Sequence, residues 1–129
     1  YKEGFRDLPV KMNGIGSEMQ SNHWLSCMII EKNAMCRQYR KETTVEYEKE
    51  TGKTCPAEIL ETLAGLNAEG RSIWKPMHMQ PIYKNNLFVN VQEDIAADIF
   101  ERGVCLPSDN KMTVAEQEKI IAVIRACFE

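Results

Sequence analysis

The apolar run Trp24–Ile30, with the sequence WLSCMII, constrains the fold more than any other segment of the chain. It is too short for a buried helix, and a short continuous apolar run is typical of a strand that is buried on both faces. We therefore predict the central strand of a sheet here. The preceding segment, Asn13-Gly14-Ile15-Gly16, is expected to form a turn, because no strand-to-helix Gly-x-Gly-x-x-Gly pattern surrounds its two glycines.

The first predicted helix begins after Cys55. Pro56 loses no needed hydrogen bond at the first helical position, and Glu58 suits the positive end of the helix dipole. Gly70 is the expected left-handed residue that ends the helix. The inward stripe consists of Ile59, Leu60, Leu63 and Leu66. Residues Arg71–Trp74 are expected to be extended, since proline two positions later disfavours helix.

Two further helices are predicted near the end of the chain. Asp94 is the expected cap of a short helix that Gly103 ends, with Ile95, Ile99 and Phe100 facing inward. A brief extended piece, Val104–Leu106, follows. Thr113 and Glu116 then match a capping box for the final helix. Its inward stripe consists of Gln117, Ile120, Ile121, Ile124 and Phe128.

Two segments have a less regular pattern. Tyr1, Phe5 and Leu8 recur at helical spacing, and no residue before Tyr1 caps such a helix, so the chain is expected to begin within a helix of a longer protein. Residues 31–54 are rich in charge and are interpreted as a solvated insertion, with a short helix that Tyr39 and Tyr47 anchor.

Together these elements predict one domain over residues 1–129. Extended pieces alternate irregularly with three helices, a pattern typical of an α+β fold in which helices pack on a small, antiparallel-rich sheet. A chain of 129 residues is long enough to enclose a single core, and 43% hydrophobic with 27% charged residues is an ordinary globular composition. Intrinsic disorder is therefore not expected.

Charge and hydropathy exclude several functions. The net charge of −3 comes from scattered acidic and basic residues, which argues against nucleic acid as a partner. No apolar run approaches the roughly 20 residues that cross a bilayer, and the first residues do not resemble a secretion signal, so we expect a cytoplasmic protein.

The five cysteines are an odd number and include no Cys-x-x-Cys pair. We expect reduced thiols that fill the core. No metal site is predicted, because His23 has no partner ligand at a suitable spacing.

The segment Arg71–Tyr83, RSIWKPMHMQPIY, is the most unusual stretch of the chain. Two prolines, two methionines, a tryptophan, a lysine and one of the two histidines occupy thirteen positions without regular periodicity. Irregular loops of this kind often carry function.

Three motifs in this chain carry a resemblance to a known family. The string WKPMHMQP, the later RGVCLPSDNKMT with its amphipathic helix, and the upstream SNHWLSC occur in the order found at the C-terminal end of the DegT/DnrJ/EryC1/StrS family of sugar aminotransferases. The chain is therefore similar to the small C-terminal domain of these proteins. It departs from the family pattern at Ser72, where proline is usual, and in the length of the insertion at 31–54.

The resemblance implies a parent enzyme of the fold-type I class that uses pyridoxal phosphate. Such an enzyme aminates a nucleotide-linked keto-sugar in the synthesis of cell-surface polysaccharide or glycan precursors, and is expected to be a homodimer. The family places the cofactor lysine, the acid beside the pyridinium nitrogen and the phosphate donors in an N-terminal cofactor domain, upstream of this chain. The fragment alone is then expected to hold neither catalytic residues nor cofactor, and to be inactive.

Four residues of the unusual stretch are candidate substrate ligands by this resemblance. His78 either contacts the sugar or phosphate or is a structural histidine, and Trp74 either walls the nucleotide pocket or belongs to the core. Lys75 either contacts a substrate phosphate or covers Trp74 with its stem, and Arg71 either holds a carboxylate or phosphate or caps the sheet edge. Met77 and Met79 are interpreted as packing residues. The alternative function is a non-catalytic binding or dimerisation module.

Overall fold

The structure is a computed structural model that describes residues 1–14, 16, 18–41 and 44–129. Ile15 of the predicted glycine turn and Glu42 of the charged segment lie outside the described residues, as do Ser17 and Thr43. In chain order the elements are β1 (Val10–Met12), β2 (Ser26–Ile30), β3 (Gln38–Arg40), β4 (Val45–Tyr47), α1 (Pro56–Gly65), β5 (Arg71–Ser72), α2 (Ile95–Arg102), β6 (Gly103–Leu106) and α3 (Val114–Ala126). Short 3-10 turns occur at Lys32–Ala34, Met77–Met79 and Pro81–Tyr83.

The main sheet has four antiparallel strands in the order β1-β2-β6-β5. Strand β2 is interior, with Met28 opposite Val104 and Cys27 opposite Cys105. A second sheet is the antiparallel hairpin of β3 and β4. The α+β fold with three helices and a small antiparallel sheet is therefore confirmed, although the central strand is two residues shorter than the apolar run.

Alternation along β2 and β6 separates the two faces of the sheet. One face presents Met28, Ile30, Val104 and Leu106 to a core that helices α1 and α3 complete; the helical members of this core are Ile59, Leu63, Ile120 and Ile124. Cys27 and Cys105 share the opposite face. The final helix begins as predicted, because the Thr113 hydroxyl accepts from the Glu116 amide while the Glu116 carboxylate accepts from Thr113.

The helix predicted around Tyr1, Phe5 and Leu8 is wrong. Residues 2–7 form consecutive turns, in which the Phe5 amide donates to the Tyr1 carbonyl at 3.0 Å and the Leu8 amide to the Phe5 carbonyl at 3.0 Å. A helix nucleus is costly in so short a segment before a proline. The three apolar residues nevertheless pack on the core as their spacing suggested.

The short helix predicted within residues 31–54 is also wrong. Tyr39 and Tyr47 lie in the hairpin, where Gln38 pairs with Tyr47 and Arg40 with Val45. Alternating residues of β3 turn toward α2: Gln38 donates to the Glu101 carbonyl at 2.7 Å, and Arg40 Nε donates to Glu101 Oε2 at 2.9 Å. Cross-strand pairing and these contacts outweigh the weak local preference for helix.

Two details of the predicted helices need correction. Helix α1 ends at Gly65, and Asn67, with a φ of 56°, is the left-handed residue that follows it, so Gly70 is not the stop and Leu66 is exposed. Gly70 serves close packing instead, since a Cβ there would lie 2.7 Å from Leu63 Cδ1. In α2, Asp94 caps the helix as predicted, but Ile95 faces outward.

All five cysteines are free thiols in the structure, and three of them fill the core as predicted. Cys36, Cys55 and Cys105 are buried, whereas Cys27 and Cys127 are partly exposed. Within the described ranges, no group of three or more His, Cys, Asp or Glu residues is arranged to hold a metal ion. No helix of the described chain is long and apolar enough to cross a membrane.

Candidate functional site

A cleft of about 360 Å³ opens at the edge of the main sheet, and we call it the tryptophan cleft. Its lining consists of Trp24, Leu25, Arg71, Ser72, Trp74 and Cys105. The two indole rings face each other with centroids 6.3 Å apart and planes inclined by 41°. Both rings are mostly exposed, Trp24 at 70% and Trp74 at 63%, so their faces are available to a flat or apolar ligand.

Each wall of the cleft has a local cause in the sequence. Arg71 and Ser72 belong to β5, which pairs with β6 so that Arg71 lies opposite Cys105. Trp24 is held by a turn before β2: the Ser21 hydroxyl accepts from the His23 amide at 2.9 Å, and the Asn22 side chain accepts from the Trp24 amide at 3.1 Å. Such bonds from a polar side chain to the backbone two residues on are typical of Ser and Asn turns.

Arg71 is the cationic group of the cleft. Its Nε lies 2.9 Å and its terminal nitrogen 2.7 Å from one carboxylate oxygen of Glu69, and the side chain is exposed. Because one oxygen takes both contacts, the guanidinium retains donors for an anionic ligand.

Cys105 forms the floor of the cleft. Burial raises the pKa of its thiol to about 12, the neighbouring Cys27 adds to this rise, and the positive charge of Arg71 opposes it. The thiol is therefore neutral at physiological pH, and the floor is apolar.

His78 lies outside the tryptophan cleft, in the 3-10 turn Met77–Met79. Its Nε2 is 2.6 Å from Asp94 Oδ2, and its ring stacks on Phe88 with centroids 3.8 Å apart and planes inclined by 15°. The other oxygen of Asp94 accepts from the Ala97 amide at 3.0 Å. One carboxylate thus caps α2 and orients the imidazole.

Lys75 is exposed, and its backbone carbonyl accepts from Gln80 Nε2 at 3.1 Å. The lysine lies between Trp74 in the cleft and the turn that carries His78. Met77 and Met79, interpreted above as packing residues, are exposed instead. Of the four predicted ligands, the structure brings Arg71 and Trp74 into one cleft and leaves Lys75 and His78 beside it.

Sequence reasoning missed Trp24 as a wall of the cleft. The apolar run predicts Trp24 within the central strand, yet the strand begins at Ser26. The signal that was available is the pair Ser21-Asn22, whose side chains favour a turn and so detach Trp24 from the strand. Phe88, the stacking partner of His78, was missed as well, and no local pattern marks it.

A second concave surface, of about 610 Å³, lies between the end of α1, the loop after β6 and α3. It is the larger of the two. Its rim carries charges of both signs, Asp109 and Glu116 with Lys111 and Lys119, and it has no aromatic wall. The tryptophan cleft has the aromatic faces and convergent polar groups that ligand sites usually combine, so we regard it as the candidate site.

The lysines of this chain do not suit the covalent attachment of pyridoxal phosphate. An amine that forms such a bond is usually desolvated, which lowers its pKa. Here Lys53 is half-buried in an ion pair with Glu50, and the other lysines of the described chain are exposed. No step of cofactor chemistry is assigned to the residues of this chain.

Solved structures with the same fold are aminotransferases. A DegT DnrJ EryC1 StrS aminotransferase from Brucella abortus matches with a TM-score of 0.68 and 19% identity, covering 98% of this chain and 28% of that one. PseC of Helicobacter pylori, an aminotransferase involved in the biosynthesis of pseudoaminic acid, matches with a TM-score of 0.67 and 19% identity, over 98% and 29% of the two chains. Spr1654 of Streptococcus pneumoniae, provisionally named a sugar aminotransferase, matches in its PMP form with a TM-score of 0.71 and 20% identity, over 98% and 27%.

The sequence comparisons identify the family. The model of the DegT/DnrJ/EryC1/StrS aminotransferase family matches residues 1–125, and the chain belongs to this family. EpsN of Bacillus subtilis (strain 168), provisionally named a pyridoxal phosphate-dependent aminotransferase, is 30% identical over 130 residues, which is 99% of this chain and 27% of that protein. Pyridoxal phosphate is the cofactor of the family, and Spr1654 has been solved in a PLP form as well as the PMP form. The chain spans a little over a quarter of the length of these relatives.

Proposed function

We propose that this chain is the C-terminal small domain of a pyridoxal phosphate-dependent aminotransferase that aminates a nucleotide-linked keto-sugar. In that parent enzyme the N-terminal domain holds the cofactor, which supplies the amino-transfer chemistry. This chain encloses part of the acceptor pocket. We place the parent in the cytoplasm, as a homodimer that makes precursors of cell-surface polysaccharide or glycans.

One observation carries this proposal: between Trp74 and Val91 the described chain exposes an unusual number of large apolar side chains. We call this group the 74–91 surface, and its exposed members are Trp74, Met77, Met79, Ile82, Tyr83, Leu87, Phe88, Val89 and Val91. Leu87 is 92% and Val91 93% exposed. Exposed apolar side chains that gather in one part of a protein mark places where another surface packs. The partner that we propose for this surface is the N-terminal cofactor domain, which lies in the part of the relatives' length that this chain does not span.

The nature of the acceptor is inferred from the cleft beside this surface. The indoles of Trp24 and Trp74 offer flat faces to a planar base, and Arg71 offers a guanidinium to a phosphate or carboxylate. A nucleotide-linked sugar has both kinds of group. The names of Spr1654 and PseC, which refer to sugar and to pseudoaminic acid, support a sugar acceptor for the parent of this chain as well.

We assign four substrate-binding residues on this basis. Trp74 and Arg71 bind the nucleotide part of the acceptor, and Lys75 contacts its phosphates as a point charge. His78 hydrogen-bonds to the sugar or phosphate through the ring nitrogen that Asp94 does not take. None of the four performs a bond-making step.

The decisive experiment separates the two half-reactions of the parent enzyme. His78→Ala is expected to slow the acceptor half-reaction by roughly 10- to 100-fold, because a lost polar contact is typically equivalent to about 1–3 kcal/mol. The donor half-reaction should proceed at the wild-type rate. Both are followed in single-turnover absorbance measurements of the cofactor band.

The matched control is the other histidine. His23 has a positive φ of 52°, so His23→Asn is used, since asparagine tolerates the left-handed conformation. This variant should leave both half-reactions unchanged. Equal slowing of the donor and acceptor half-reactions by His78→Ala would contradict a role confined to the acceptor.

Trp74→Ala and Arg71→Ala should raise the KM for the nucleotide-sugar, with a smaller effect on kcat. Their control is Tyr39→Ala, which removes an exposed aromatic ring of the hairpin instead of one in the cleft. An unchanged KM in both cleft variants would count against the cleft as the nucleotide site.

The packing of the 74–91 surface has its own test. Leu87→Asp with Val91→Asp should leave the stability of the 129-residue chain unchanged, because both side chains are already exposed. In the parent enzyme the same pair should lower the unfolding temperature and weaken cofactor retention. A parent protein that tolerates both changes would instead favour the alternative, a non-catalytic binding or dimerisation module.

A further inference from the structure

Two thiols face each other beneath the tryptophan cleft. Cys27 of β2 and Cys105 of β6 are direct partners in the register of the sheet, and their sulfur atoms are 3.7 Å apart. The two residues lie on the face of the sheet away from the helical core. We propose that Cys27 and Cys105 are a modification site, at which a reversible cross-strand disulfide bond forms.

The backbone around Cys27 places this pair in a favourable geometry. The backbone N–H of Asn13 donates to the Cys27 carbonyl at 2.9 Å, and the backbone N–H of Cys27 donates to the side-chain oxygen of Asn13 at 2.5 Å. Both polar groups of Cys27 therefore point toward β1. Cys27 and Cys105 form a non-hydrogen-bonded pair across β2 and β6, for which Cα atoms lie about 4.5 Å apart.

That separation lies at the short end of the range of about 4.4–6.8 Å that disulfides span. The sulfur atoms must approach from 3.7 Å to about 2.0 Å, which side-chain rotation can supply without a break in the sheet. Because Cys27 is partly exposed, the bond is open to attack by small thiols, which makes it reversible.

The two thiols differ in access, and this sets the order of the chemistry. Cys27 is partly exposed, whereas Cys105 is buried. The Cys27 thiolate attacks one sulfur of a small disulfide such as oxidised glutathione, forms a mixed disulfide and releases one glutathione thiol after proton uptake. Cys105 then loses its proton and attacks the Cys27 sulfur, which releases the second glutathione. Two protein thiols are oxidised to one disulfide, and one glutathione disulfide is reduced to two thiols.

Arg71 assists the second step. Arg71 lies in β5, directly opposite Cys105 of β6, and its positive charge favours the Cys105 thiolate. Because Cys105 lines the tryptophan cleft, the bond changes the floor of the cleft directly. The disulfide also joins the two interior strands of the sheet across a loop of roughly 80 residues, which restricts the unfolded chain.

The test uses the 129-residue chain, reduced, desalted and incubated with oxidised glutathione. Two of the five thiols should be lost, with a mass decrease of about 2 Da because two hydrogens leave, and dithiothreitol should restore all five. Trypsin places each cysteine on a separate peptide. The oxidised sample should yield peptide 12–32 joined to peptide 103–111, and its thermal unfolding midpoint should rise by several degrees.

Cys27→Ser is the informative variant, and Cys127→Ser is its control, because Cys127 is a partly exposed thiol in the other part of the fold. Cys27→Ser should remain a monomer, keep its remaining thiols and form no internal disulfide. Cys127→Ser should still lose two thiols. Circular dichroism verifies that both are folded. If the Cys27 variant does not fold, the peptide map of the wild-type chain decides.

Three results would overturn the proposal. These are a bond that maps to Cys36 and Cys55, a loss of two thiols that persists in Cys27→Ser, and stable mixed disulfides that never close. None of them bears on the assignment of the parent enzyme, which the half-reaction measurements test separately.

Discussion

Asp94 links helix α2 to His78, one of the four proposed substrate ligands, and its replacement gives the sharpest test of the structure. One carboxylate oxygen accepts from the Ala97 amide and so caps α2, while the other lies 2.6 Å from His78 Nε2. Asp94→Ala removes both contacts, whereas Asp94→Asn retains a good cap and removes the negative charge beside the imidazole.

The expected losses follow from these two contacts. Loss of an N-cap costs about 1 kcal/mol, and loss of a half-buried hydrogen bond about 0.5–1.5 kcal/mol. Asp94→Ala should therefore lower the free energy of unfolding by roughly 1.5–2.5 kcal/mol, and Asp94→Asn by less than about 1 kcal/mol. Thr113→Ala, which removes the cap of α3 without touching His78, should cost about 1 kcal/mol.

Urea unfolding followed by circular dichroism measures these differences. With a typical dependence of about 2 kcal/mol per molar urea, Asp94→Ala should shift the midpoint by about 1 M. A double-mutant cycle with His78→Ala isolates the contact between the two side chains. Equal losses for Asp94→Ala and Asp94→Asn would refute the capping role, and a coupling energy of zero would refute the contact with His78.

Two further outcomes are expected. Gly103→Ala should destabilise the chain by about 1–3 kcal/mol in the same assay, because its Cβ would lie 2.5 Å from the backbone oxygen of Ile99; Gly65→Ala, with open space around it, should not destabilise it. A hydrogen bond and the charge of Arg125 lower the pKa of the Asp7 carboxyl from 3.8 to about 2. The wild type should thus be more stable than Asp7→Asn by the full amount above about pH 5, and this difference in stability should disappear as the pH falls through about 2. A stability difference that does not depend on pH would contradict this ion pair.

The sequence predicted those elements whose signals are local. The capping box at Thr113 and Glu116 and the apolar stripe behind it define α3 without reference to the rest of the chain. The apolar run before Glu31 likewise predicted an interior strand, because continuous apolar residues need cover on both faces. The N-cap at Asp94 is also a local signal, since an aspartate directly precedes the apolar stripe of α2.

The errors occur where partners come from distant parts of the chain. Tyr39 and Tyr47 have a spacing compatible with a helix, and only the contacts of Gln38 and Arg40 with Glu101 show why the segment is a hairpin. The candidate site is divided in the same way. The Arg71–Tyr83 motif identifies Trp74 and Arg71, but Trp24 comes from a turn some fifty residues earlier. The Ser21-Asn22 pair favours that turn, yet nothing in it shows that Trp24 reaches the same cleft.

The strand order has a consequence for the way in which this protein is made. Strand β2 pairs with β6, which the ribosome adds nearly eighty residues later, and β5 also depends on β6 for its only sheet partner among the described strands. Such distant pairing slows folding and leaves one long edge of the nascent sheet unsatisfied during synthesis. A chain that stops before Gly103 therefore lacks strand β6, which joins β2 to β5 in the sheet. We expect such a chain to aggregate rather than to fold as a smaller unit.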